Sequence, residues 1–260
     1  MLFDTHTHLN FPEFNEDREL ILQKLSEDKI WITNVGTDFV SSKSAVELAE
    51  QTPLGVYATV GMHPSELGNF EEDQFANLIT SKVVAVGECG LDYYHKETTP
   101  DHQKQLFSSQ IAFAQKHTLP LVIHCRDIVG STKAYEDVLD ILKSSYTGIG
   151  IIHSFTDSWE TAKKFLDLGF YVALNGIIFF DKSGNLEEVC KNLPSDRILT
   201  ETDAPFLTPP PNRGKRNTPA NVRLVAEKIA ELRGEEFDVV CDQTYKNALS
   251  VFKINPSLSS

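Results

Sequence analysis

The sequence predicts one α/β unit spanning residues 1–260, a single (β/α)8 TIM barrel with a metal site at the carboxyl ends of its strands. Three observations predict it. Short apolar runs alternate with longer amphipathic ones along the whole chain, the pattern of parallel strands joined by right-handed crossovers. Runs such as Val83-Val84-Ala85-Val86 and Leu121-Val122-Ile123 are apolar without alternation, as strands covered on both faces are. Histidines and carboxylates recur at the ends of these runs, where this fold places its reacting groups.

The strand runs are 1–6, 30–35, 55–60, 83–88, 119–124, 148–153, 170–174 and 197–200. Between them, 16–26 carries Leu20, Ile21 and Leu25, and 44–51 carries Val46 and Leu48. Segment 103–117 carries Leu106, Ile111 and Phe113, 132–143 carries Val138, Leu139, Ile141 and Leu142, and 158–168 carries Phe165 and Leu168. These spacings approximate the 3.6-residue period of a helix with one apolar face. An open doubly wound sheet would usually place a glycine-rich phosphate loop after its first strand, and here His6-Thr7-His8 stands there instead. Thr218-Pro219 reads as a helix start, and 220–233 and 235–252 as closing helices. The Pro-rich stretch 208–212 resembles a linker, but too little chain follows it for a second domain.

At 260 residues, 41% hydrophobic and 23% charged, the chain can bury a large core. No run approaches the ~18 apolar residues of a bilayer span, and no leader is recognisable at the start. Cys89, Cys125, Cys190 and Cys241 are scattered, which suits a reducing compartment. The expected location is cytoplasmic, with no membrane and no obligatory protein partner. A net charge of −13 argues against a broad phosphate-binding surface. It leaves room for a small site where metal ions supply positive charge, gripping a nucleic acid at one point such as an end.

His6 and His8 share a face of the first strand, since alternate side chains of a strand point the same way. Glu88 ends the fourth run, His124 the fifth and His153 the sixth, and Asp203 follows the eighth. Such groups are costly to gather in a cleft without a compensating charge, and a metal centre is that charge. Six donors exceed what one ion with an open position needs. Two ions ~3.5–4 Å apart fit better: His6, His8 and Asp203 on one, His124 and His153 on the other, Glu88 bridging. Four imidazoles and two carboxylates suit Zn²⁺, Mn²⁺ or Fe²⁺, with Mg²⁺ if weakly held.

The motifs Asp4-Thr5-His6-Thr7-His8-Leu9, Gly61-Met62-His63-Pro64, Gly87-Glu88-Cys89-Gly90-Leu91-Asp92-Tyr93, Ile123-His124-Cys125-Arg126-Asp127, Ile152-His153-Ser154-Phe155 and Glu201-Thr202-Asp203-Ala204-Pro205 occur in that order. Jointly they resemble the TatD family of metal-dependent deoxyribonucleases, a branch of the amidohydrolase-type metallohydrolases. The resemblance implies a TIM barrel, a divalent-metal centre on the same six residues, and hydrolysis of DNA phosphodiesters, often from the 3′ end. DNA ends or short oligonucleotides are then the expected substrate. Two departures stand out: Thr156-Asp157 follows Phe155 where the family often has a glycine, and Asn10 stands where many relatives have Asp.

The expected chemistry is two-metal activation of water, with Asp203 and Glu88 catalytic and Asp203 accepting the proton. His63, Arg126, Arg216 and Tyr93 are candidate substrate contacts, the arginines for phosphate oxygens, Tyr93 and Phe155 for stacking on a base. Cys89 and Cys125 read as buried small side chains pointing away from the metals, and His95, His102 and His117 receive no role. Hydrolysis of an amide, ester or lactone is the alternative within enzymes, since the same centre polarises a carbonyl. A noncatalytic scaffold is remoter, because the ligand set is complete.

Overall fold

Eight strands pair in parallel in strict chain order, each with the next, in a computed structural model that describes residues 1–53 and 55–255. The strands are β1 (Leu2–Thr7), β2 (Ile30–Asn34), β3 (Val56–Val60), β4 (Val83–Asp92), β5 (Leu121–Arg126), β6 (Gly150–Ile152), β7 (Tyr171–Leu174) and β8 (Ile198–Thr200). The helices are α1 (Arg18–Glu27), α2 (Phe39–Gln51), α3 (Glu72–Ala76), α4 (Pro100–His117), α5 (Lys133–Ser145), α6 (Trp159–Asp167), α7 (Asn185–Asn192), α8 (Val222–Arg233) and α9 (Phe237–Val251). The sheet curls until β8 meets β1, making a nearly closed barrel. Thr200 Oγ1 donates to the Phe3 carbonyl (3.0 Å), and Thr5 Oγ1 to that of Thr200 (3.1 Å). Higher up, the backbone N–H of Asp203 donates to His6 O and that of His8 to Ala204 O, both at 2.8 Å. No helix among the described residues is long and apolar enough to cross a membrane.

Two cores follow from the strands' alternation. One fills the space between barrel and helices. The other fills the barrel's lower interior, where Phe3, Trp31, Tyr57, Val122, Ile151, Tyr171 and Leu199 meet Ala248 and Val251 of α9 and Phe252 just after it. Phe3 is its hub, with ring centroids 6.2 Å from Trp31, 6.2 Å from Tyr57 and 5.8 Å from Phe252. Since α9 packs on both β1 and β8, it closes the amino-terminal end, and only the carboxyl end is left to hold a site.

Helix starts follow side-chain caps. Asp38 and Ser41 form a capping box, so α2 begins at Phe39, five residues before its apolar spacing is visible. Thr99 caps α4 and Ser158 caps α6 by a single bond, each side chain accepting the N–H three residues on. Helices α3 and α7 were not legible beforehand, since five and eight residues are too few to display a period. Thr218-Pro219 begins a 3-10 turn, not the helix itself, and α8 starts at Val222.

Candidate metal centre

Two local irregularities aim the first donors inward. Between Asp4 and Thr7, β1 spends three steps where β2 spends two, from Ile32 to Asn34. Between Val86 and Cys89, β4 likewise gains a residue over Leu121–Ile123 of β5. Such bulges re-aim the side chains they contain, and these contain His6 and Glu88. Glycine makes the second one buildable. A Cβ on Gly87 (φ +155°) would lie 2.5 Å from Val122 O, and one on Gly90 (φ +134°) 2.1 Å from His124 O. Thus β4 presses its backbone against β5, and Glu88, which lies inside the strand and not at its end, reaches His124.

The six donors form one cluster about Glu88. On one side, Glu88 Oε2 lies 3.4 Å from His6 Nε2 and 3.9 Å from His8 Nε2. His6 and His8 Nε2 are 3.3 Å apart, and Asp203 Oδ1 is 3.7 and 3.4 Å from them. On the other side, Glu88 Oε1 lies 2.8 Å from His124 Nδ1 and 3.3 Å from His153 Nε2. Two atoms ligating one tetrahedral ion at ~2.0–2.2 Å stand roughly 3.3–3.6 Å apart. Most of these spacings fall near that value, so the residues fit divalent ions, with one Glu88 oxygen facing each group. The rings of His6 and His153 stack at 3.6 Å, so the two groups are contiguous.

Three imidazoles have their other nitrogen fixed. His8 Nδ1 lies 3.0 Å from Val35 O, His153 Nδ1 3.1 Å from Glu201 Oε1, and His124 Nε2 2.9 Å from Asp92 Oδ2. This is how ligating histidines are ordinarily oriented. Asp92 and Glu201 are nearly solvent-free and were not picked out beforehand. The signal was present: a buried histidine ligand needs an acceptor behind it, and both acids stand within the quoted motifs. Asp4, also buried, accepts from Thr202 N at 2.9 Å and so ties β1 to the segment after β8.

Charge within the cluster is mutually arranged. Burial alone would raise Glu88, but His153, His6 and His124 outweigh it and hold its carboxylate well below the usual range. Asp203, likewise opposed by burial, is held low by His8, His153 and His6. Burial and the neighbouring His153 depress His6, keeping it a neutral donor. His153 goes the other way despite its burial, raised by Glu201 and Glu88. Burial and His124 push His63 down to about 3. Asp203 sits at φ +54°, a left-handed conformation Asp tolerates better than most residues.

Above the cluster opens a cavity of about 1130 Å³, whose walls include His63, Glu88, His124, Arg126, His153 and Asp203. Of the candidate substrate contacts, the structure brings His63 and Arg126 here and leaves Tyr93 and Arg216 elsewhere. His63 Nε2 is 3.7 Å from Glu88 Oε1, its Nδ1 2.7 Å from Ser65 Oγ. The Arg126 guanidinium lies 4.2 Å over the Tyr94 ring and makes no ion pair among the described residues. Tyr93 instead donates its hydroxyl to Asp137 (2.8 Å). Arg216 pairs with Asp17 at 2.5 Å, bonds the Glu13 carbonyl and covers Phe14. Phe155 is buried. His95, given no role from sequence, reaches the cavity wall with Nδ1 2.8 Å from Asp92 Oδ2.

A nearly closed barrel with clustered imidazoles and carboxylates at its carboxyl mouth is the architecture of a metal-dependent hydrolase. The chain matches the TatD related DNase family over residues 3–253 and belongs to it. It is 40% identical over 262 residues to a Bacillus subtilis protein named "uncharacterized metal-dependent hydrolase YabD", covering 98% of this chain and 100% of that one. It is 30% identical over 267 residues to the "3'-5' ssDNA/RNA exonuclease TatD" of Erwinia tasmaniensis, covering 97% and 100%. Among solved structures, the TatD homolog YJJV of Escherichia coli superposes with a TM-score of 0.88 at 28% identity, over 98% of both chains.

Proposed function

We propose that the protein is a two-metal nuclease that removes nucleotides from the 3′ end of single-stranded DNA or RNA. The observation that carries this is Glu88, whose two oxygens each face a separate group of donors in the floor of one cavity. His6, His8 and Asp203 would hold one ion, His124 and His153 the other, with Glu88 between them; Zn²⁺, Mn²⁺ or Mg²⁺ suits this set. When bound, the ions supply Lewis acidity for the phosphoryl oxygens and make water nucleophilic near neutral pH.

The chain's own groups do the rest. Asp203, 16% exposed where Glu88 is 5%, is the more open of the two carboxylates and accepts the attacking water's proton. His63, neutral because of its depressed pKa, donates a hydrogen bond to a phosphate oxygen. Arg126 keeps its guanidinium free for a second one, with fork geometry suited to phosphate. With a net charge of −13, little else on the protein attracts a polyanion, which favours gripping an end.

The test is degradation of end-labelled oligonucleotides by metal-stripped protein reconstituted with Mg²⁺, Mn²⁺ or Zn²⁺. Closed circular single strands and an ester and lactone panel run beside it. The expected result is metal-dependent shortening of linear strands from the 3′ label, with circles spared. Nicking of circles at the linear rate would remove the end-gripping part. Turnover of a lactone or ester with intact oligonucleotides would replace the function outright.

A further inference from the structure

Nine large apolar side chains stand exposed among the described residues, and four of them, Tyr94, Ile128, Val129 and Phe206, line the cavity above the donor cluster. Scattered exposed apolar groups are ordinary, but a concentration at one mouth marks a binding surface. The two aromatic ones stand on opposite sides of Glu88. The Phe206 ring lies 6.2 Å from that of His8, beside the His6–His8–Asp203 group. Tyr94 lies 5.0 Å from His95 and under Arg126, beside Asp92 and His124.

Both have their backbone tied down while the side chain is half exposed, 51% for Phe206 and 46% for Tyr94. Asn217, wholly buried, donates to the carbonyls of Phe206 (2.7 Å) and Thr202 (3.0 Å), and its own N–H to Pro205 O. Phe206 N donates to Asp203 O at 2.8 Å. On the other side, Asp92 Oδ1 accepts from Tyr94 N and His95 N, both at 2.9 Å, while Oδ2 meets His124 Nε2. Each aromatic is therefore geared through one buried side chain or backbone bond to a donor of the centre. A loop that only needed to be soluble would not fix an aromatic in water beside its reacting groups.

We propose that Phe206 and Tyr94 are stacking platforms for the nucleobases on either side of the scissile phosphate, Arg126 lying on the far face of Tyr94 or clamping the adjoining phosphate. The assignment rests on the nuclease function above. Stacking tolerates any base, since each has a π face, and requires that base to be unpaired. The two rings thus select a frayed or single-stranded terminus without reading its sequence.

The probe is a short single strand with a non-hydrolysable methylenephosphonate at the cleavage position and 2-aminopurine on one side of it or the other. Binding to wild-type protein loaded with Zn²⁺ or Mg²⁺ should quench both fluorophores. Phe206→Ala should relieve quenching on one side and Tyr94→Ala on the other, while Phe206→Tyr and Tyr94→Phe retain it. With an ordinary strand, each alanine variant should raise KM about tenfold, ~1.4 kcal/mol. On strands abasic at the matching position, wild type and variant should have equal KM. Unquenched probe on the wild type, or KM losses as large on abasic strands, would overturn the proposal. Quenching without cleavage of the ordinary strand would instead sink the nuclease function and leave the base site standing; cleavage without quenching does the reverse.

Discussion

The same strands end in opposite chemistry at the two mouths of the barrel. β1 carries Phe3 into the lower plug and His6 toward the upper cluster. Val122 and His124 stand two residues apart on β5, as do Ile151 and His153 at the end of β6. Because side chains of one parity share a face, Val122 with His124 and Ile151 with His153 each form one inward row. His6, three residues from Phe3, is instead turned inward by the bulge in β1. The lower members bury rings against α9, and the upper ones gather charge that has no apolar reason to be there. Packed rings thus fill one mouth and the donor cluster the other, a few residues apart on these strands.

The largest expected contrast comes from breaking each hub. Glu88→Ala should lose more than about 100-fold in activity, beyond the ~10–100-fold typical of an outer partner, and elemental analysis should show ions gone. A variant that keeps two ions per chain would end the bridging role. Phe3→Ala should lose ~3–5 kcal/mol of stability by urea titration yet bind the same number of ions while folded. If its ion content fell in parallel, the two ends would not be separable.

A finer test lies one layer outside the donors. Glu201→Gln and Asp92→Asn should weaken metal binding by ~10–100-fold in competition with a chelator, with the melting temperature of the stripped protein changed far less than by Phe3→Ala. The smallest effect belongs to neither mouth and serves as a control. Asp137 would be raised by its partial burial, but Lys104, Lys133 and Tyr93 hold it down, to about 2. A depressed carboxylate adds stability above its unfolded pKa of ~3.9, lost as pH falls toward the folded value. Asp137→Asn should therefore flatten the acid limb of the stability curve between roughly pH 4 and 2, with metal content at pH 7 unchanged.

Barrel order was legible because strands buried on both faces leave apolar runs, as at Val83–Val86, and the donors because each stands near such a run's end. What stayed hidden depends on contacts distant in sequence or on geometry without a pattern. The displacement of Tyr93 from the cavity comes from the register of β4 with β5, which no local spacing reveals. Arg216 is captured by Asp17 and Glu13 across a separation that periodicity cannot bridge. Glu201 and Asp92 were visible as residues, but their acceptor role depends on which imidazole nitrogen faces them. Tyr94 and Phe206 gave no signal, because an aromatic in a loop is ordinarily packed.

The barrel's seam, where Asp203 N meets His6 O, His8 N meets Ala204 O, and Asp4 receives Thr202 across 198 positions of chain, also sets when the protein becomes competent during its synthesis. His6 and His8 are synthesised at least 195 residues ahead of Asp203. Until then the nascent polypeptide lacks Asp203, the proton acceptor proposed above, and the strand that closes the seam. An unfinished or truncated chain therefore carries the histidines of β1 without the carboxylate and the seam that complete the donor cluster.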